Sequence, residues 1–191
     1  ESDIVSYFYY CLYNSSFEVQ DAKGKRIYLA HREYPTNFRY DKEKLLEETF
    51  IEPYELKSKK GTRGNYDLAI LDPAFVQRAE TVEDVVNKNI KLLLKRTEGT
   101  GRELLFSVEF KYVINNNKSF VDEILMDNKK LLFSEKYQSC CGINLVFCNK
   151  ADPYYHKQLR DAVRDSKVIT ILTHSYYDSD NKKTPKPEAS S

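Results

Sequence analysis

The 191-residue chain has almost no excess of either charge: 30 Lys and Arg face 29 Asp and Glu, a net charge of +1. It therefore lacks a global basic field for holding a polyanion, and any contact with nucleic acid has to rest on local patches. Zinc-type paired spacing is missing from its four cysteines, Cys11, Cys140, Cys141 and Cys148. Three of them fall in or beside an apolar run, where buried reduced thiols belong, so the expected setting is intracellular, in cytoplasm or nucleus. Neither Gly-x-Gly-x-x-Gly nor Gly-x-x-x-x-Gly-Lys-Ser/Thr occurs, which argues against a nucleotide-binding fold. With only three histidines, and with Cys141 and Cys148 in a strand that reads as buried, a Cys–His nucleophile finds little support. No apolar run reaches the ~20 residues that span a bilayer. The run from Ile4 to Tyr13 is short, rich in tyrosine and preceded by Glu1 and Asp3, unlike a secretory signal. The chain opens on Glu1 rather than Met, as either a trimmed chain or one domain of a longer protein would, and both alternatives stay open.

What is present is a series of apolar runs with distinct periods. Length and composition fit one domain over 1–175, followed by a flexible polar tail, 176–191, rich in Lys, Ser and Pro. The organising run is Arg102 to Val113, a buried strand bounded by Gly99-Thr100-Gly101 and Asn115-Asn116-Asn117. Glu109 and Lys111 interrupt it. Alternation turns these two to one face and Val108, Phe110 and Tyr112 to the other. A charge in such a strand is expected to be paired or to bind metal, because burying it alone costs several kcal/mol (roughly, for a carboxylate or ammonium). A second apolar strand, Asn65 to Pro73, carries Asp67.

Around these, Asp3 to Tyr13 reads as a helix with Ile4, Val5, Phe8, Tyr9 and Leu12 on its apolar stripe, and Lys23-Gly24-Lys25 as a turn. Arg26 to Tyr34 is a strand ending at Pro35, with His31 and Glu33 on one face. The 41–50 stretch reads as a short helix. Glu80 to Thr97 gives a clear helical stripe of Val82, Val85, Val86, Ile90, Leu93 and Leu94, capped by Thr81. Lys118 to Tyr137 is a long amphipathic helix, Gly142 to Cys148 a buried strand, 152–166 a helix with proline in its first turn, and Val168 to Thr173 a last strand. The long helix predicts a right-handed crossover between two parallel strands.

Asp67, Glu109 and Lys111 together resemble the signature of the PD-(D/E)XK nuclease superfamily, in which an acid on one strand and acid-x-Lys on the next hold Mg²⁺ against a phosphate. Acid-x-Lys also occurs at Asp21/Lys23, Glu55/Lys57, Asp127/Lys129, Asp165/Lys167 and Asp180/Lys182. Only Glu109-Phe110-Lys111 lies in an apolar strand that follows another carrying an Asp. The Asp is preceded by Tyr66 instead of proline. The resemblance implies an α/β, restriction-endonuclease-like αβββαβ core over about residues 3 to 150, with a mixed central sheet flanked by helices. The 80–97 helix is then an insertion between the second and third strands.

What the resemblance further implies is a Mg²⁺-dependent (or Mn²⁺-dependent) phosphodiesterase acting on DNA. Asp67 and Glu109 are its metal ligands, Lys111 positions or helps deprotonate the attacking water, and Glu33 is a further acid. The alternative for Glu33 is a surface acid paired with Arg32 or Arg39. Lys57, Lys59, Lys60 and Arg63 form a basic loop leading into Asp67, and Arg160 and Arg164 lie on the outer stripe of the 152–166 helix; all six are candidate phosphate contacts, with a solvated surface the alternative. A homodimer, or a place in a larger protein or complex, is left open. Two other functions remain: a non-catalytic nucleic-acid-binding or assembly module of the same fold, and a protein-interaction domain in which Glu109 and Lys111 form an internal ion pair.

Overall fold

The computed structural model describes residues 2–15, 17–21, 23–40, 51–53, 61–78, 103–113, 119–138, 140–149, 153–164 and 167–175. Its elements are α1 (Ser2–Asn14), β1 (Glu18–Gln20), β2 (Arg26–Tyr28), β3 (Ala30–Tyr40), β4 (Ile51–Pro53), β5 (Thr62–Leu71) and α2 (Pro73–Arg78). Then follow β6 (Leu104–Val113), α3 (Ser119–Gln138), β7 (Cys141–Asn149), α4 (Pro153–Val163) and β8 (Ile169–Ser175). The fold is α/β. A six-stranded sheet runs in the order β4-β3-β5-β6-β7-β8, and β1 and β2 form a separate hairpin. The β3–β5 and β5–β6 pairs are antiparallel, whereas β6–β7 and β7–β8 are parallel, so the sheet is mixed. The helices predicted over 41–50 and 80–97, and the polar tail, lie outside the described residues.

The strand expected to stop at Pro35 runs on to Tyr40, and its first part, Arg26–Tyr28, belongs instead to the hairpin. The turn at Lys23-Gly24-Lys25 closes that hairpin: Gly24 takes a left-handed φ of 77°, and Asp21 Oδ1 accepts from the amides of Lys23 and Lys25. Proline is tolerated inside β3 because it sits where the ladder is irregular. Pro35 pairs with Asn65, the register to β5 then shifts before Arg39, and β4 joins the other side only from Phe38 onward.

Helix α1 lies on one face of the sheet. Val5 is buried, and the ring of Phe8 meets Phe110 at 5.2 Å and Phe147 at 6.4 Å, so the predicted stripe is the one that packs. Tyr7 and Tyr10 face outward. On the other face α3 crosses the sheet, burying Ile124 and Leu131, and α4 adds Tyr155 and Leu159 against Val113, Val146 and Cys148. Close approach of α3 depends on Gly142, where a Cβ would stand 2.8 Å from that of Leu131. The central β5 buries Tyr66 completely. No helix among the described residues is long and apolar enough to cross a membrane.

Candidate functional site

The ladder brings the sequence-predicted acids to one level of one sheet face. Arg32 and Tyr34 pair with Leu68 and Tyr66, so Glu33 stands opposite Asp67. Leu68 pairs with Val108, which sets Asp67 beside Glu109 one residue further on. Glu109 is in register with Asn144, and Asn144 with Thr170. A row of polar side chains therefore crosses five strands on the face that α3 covers. An apolar helix stripe could not be laid over it without leaving buried groups unpaired. Helix α3 answers with Asn128, whose Oδ1 accepts from Asn144 Nδ2 at 2.9 Å and from Thr170 Oγ1 at 3.2 Å.

The charged half of the row is organised by two residues the sequence did not point to, Asp127 and Lys130. Lys130 Nζ pairs with Glu109 Oε2 at 2.6 Å and donates to the backbone oxygen of Asn65 at 3.0 Å. Lys111 Nζ, predicted to serve the acids, lies 3.4 Å from Glu123 Oε2 and 3.5 Å from Asp127 Oδ2. Asp67 Oδ2 accepts from the amide of Phe110 at 2.7 Å, which fixes that carboxylate against β6. Glu109 is only 4% exposed, and its Oε1 has no hydrogen-bond partner among the described residues.

Lys111, Asp127 and Lys130 border a cleft of about 440 Å³, which Glu33 and Asn65 also line, and Glu109 lies beneath Lys130. Glu33 is exposed at its edge with a left-handed φ of 50°. Such a conformation costs an L-residue about 1–2 kcal/mol, and strain of this kind collects at functional sites. Arg160 is exposed on α4 and Arg164 is exposed just past its end; α4 lends no described residue to the cleft, and Arg164 binds Asp161. Of the basic loop, Lys57, Lys59 and Lys60 lie outside the described residues, and Arg63 is the second residue of β5.

The electrostatics follow from an excess of acid in little water. Burial pushes the Glu109 carboxyl well above its usual value; Lys130 opposes this, while Asp127 and Asp67 reinforce it. Asp127 is raised as well, first by burial. Lys130 would be lowered by burial, but the Glu109 and Asp127 carboxylates outweigh that and raise it. Glu109, Asp127 and Lys130 all hold their protons more tightly, as expected of buried groups where carboxylates outnumber ammoniums.

Among the described residues no three His, Cys, Asp or Glu side chains converge as a ready-made ligand set. What fits a hard cation is narrower: the unpartnered Oε1 of Glu109 beside the carboxylate of Asp67. Mg²⁺ commonly takes one or two carboxylates and fills its remaining positions with water. No family model matches the chain, and neither a curated protein nor a solved structure does.

The buried thiols are not part of this chemistry. Burial pushes Cys148 up to about 11 and raises Cys140, so both stay protonated and inert at neutral pH.

Proposed function

We propose that the chain is a metal-dependent nuclease of the restriction-endonuclease-like fold, hydrolysing phosphodiester bonds in DNA at the Asp67/Glu109/Lys111 site. The observation that carries this reading is Glu109 Oε1, a buried carboxylate oxygen with no hydrogen-bond partner among the described residues, one strand from Asp67. A buried acceptor left unpaired costs roughly 1–3 kcal/mol, more if charged, unless something binds it. The order α1, β3, β5, β6, α3, β7 also follows the αβββαβ pattern of the family the motif resembles.

In this reading Asp67 and Glu109 hold Mg²⁺ or Mn²⁺, which supplies Lewis-acid stabilisation of the phosphate and leaving oxygens. Asp67 is kept in place by the Phe110 amide, so its orientation is set before substrate arrives. Lys111, 15% exposed on the cleft wall, orients the attacking water and offsets charge developing on phosphate. Glu33 stands at the edge as a further acid. Lys57, Lys59, Lys60 and Arg63, which precede Asp67 in sequence, are the proposed phosphate contacts. DNA is chosen over RNA on the resemblance, and cutting both strands would call for a second copy of the site.

A non-catalytic module of the same fold is favoured by one observation, the 2.6 Å Lys130–Glu109 pair, which compensates the acid without metal. The test is cleavage of supercoiled and linear DNA with Mg²⁺, Mn²⁺ or EDTA, comparing the parent with Lys111→Ala. The nuclease reading expects metal-dependent cutting that falls at least ~100-fold in the variant, the size of a general acid–base contribution. Equal cutting by both proteins would assign the activity elsewhere. Absence of cutting, together with no calorimetric metal binding by the parent or Asp67→Asn, would leave the non-catalytic module.

A further inference from the structure

We propose that Lys130 is the resident cation of this site: its ammonium stands in for the divalent ion and has to leave before that ion is held. The inference rests on the metal-dependent reading above and concerns how the site is regulated.

Lys130 has no counterpart in the Asp/Glu-x-Lys pattern, yet it is the most intimate partner of the central acid. Its side chain is 10% exposed, and its Nζ meets Glu109 Oε2 at 2.6 Å and the Asn65 carbonyl at 3.0 Å. Carboxylate and backbone carbonyl oxygens are the donors a hard divalent cation also takes. The lysine of the motif, Lys111, is engaged by Glu123 and Asp127, so the two ammoniums occupy different stations. With Lys130 on Oε2, Glu109 presents only Oε1, and the acids do not converge on a common point.

An exit is available. Lys130 lines the cleft of about 440 Å³, which offers its unbranched stem open space on the Asp127 side into which the ammonium would turn. Glu109 would then have both oxygens open beside Asp67. Two like charges cannot share that place in so little water, so ammonium and metal exclude one another. Metal affinity is thereby lowered by whatever free energy holds Lys130 in, and a substrate phosphate that draws the ammonium outward would raise it.

The test is Mn²⁺ calorimetry and thermal melting, with and without Mn²⁺, on the full chain and on Lys130→Met and Lys130→Arg. The expected result is that Lys130→Met binds Mn²⁺ at least ~10-fold more tightly than the parent, with a larger metal-induced rise in Tm, while Lys130→Arg stays near parental affinity. Removing one partner of a buried pair destabilises strongly, so Lys130→Met folding only when Mn²⁺ is added would support the inference equally. The double variant Lys130→Met/Glu109→Gln removes both halves of the buried Glu109–Lys130 pair and should fold with Mn²⁺ binding lost. Binding by the parent that Lys130→Met fails to tighten would overturn the resident-cation role and leave the metal site standing. So would a Lys130→Met chain that stays unfolded in Mn²⁺. No binding by parent or variant would overturn both.

Discussion

Glu109 is placed where burial makes a carboxylate hard to keep ionised. Its folded-state pKa lies well above the ordinary 4.5, through burial and then, against Lys130, through Asp127 and Asp67. The folded chain therefore binds this proton more tightly than the unfolded chain. Stability from this group is present at low pH and is lost as pH rises from 4.5 through the folded value. Asp127 acts in the same direction from 3.8 upward. We expect the Tm of the parent, measured relative to Glu109→Gln, to fall as pH rises from about 5 to about 8. Parallel melting curves for the two proteins across that range would mean that Glu109 titrates as it does in the unfolded chain. The same residue was legible in the sequence, because a charge inside an apolar strand has to be explained. Its partner was not, since Lys130 looks like one more lysine on an amphipathic helix.

Helix α3 illustrates the limit at the next scale. Its amphipathic character was readable, and the apolar side it implies is the one that buries Ile124 and Leu131. Asn128 stands four residues after Ile124 and three before Leu131, on the same face, and is itself buried. That break in the stripe, flanked by Asp127 and Lys130, was the available signal for a polar site beneath the helix. Strand β3 was misjudged for a different reason: proline was read as a terminator, but the irregular ladder after Pro35 lets the strand continue. Docking of α3 has its own test. Alanine at Gly142 would set a methyl 2.8 Å from Leu131 Cβ and 3.2 Å from the Leu131 carbonyl oxygen, both on the crossing helix. Overpacking of this kind costs about 1–3 kcal/mol, so Gly142→Ala should unfold at lower denaturant with an unchanged m-value. A midpoint equal to the parent's would show that α3 yields at this crossing.

Across the molecule the two sheet faces divide the labour. The α1 face is aromatic and closed by Phe8, Phe110 and Phe147; the α3 face carries the polar row and the cleft. Element order could be taken from hydrophobic periods, which are local. Register could not, because Glu33, Asp67 and Glu109 meet only through ladders between strands distant in sequence. The motif supplied the acids in advance, but their alignment across three strands depends on pairing that no period encodes. The chain has no Trp and 15 Tyr, and Tyr66 is buried completely in the central strand. Burial raises its phenol well above 10.0, and that of Tyr40 above 10.0 as well. Both protons are held by the fold, so the stability they contribute disappears as pH climbs past 10.0 toward the folded values. In strong alkali the exposed tyrosines ionise first, and the completely buried Tyr66 is expected to add its phenolate signal late, as the sheet around it opens. The chain thus carries its own optical reporter of the central sheet, with no label attached.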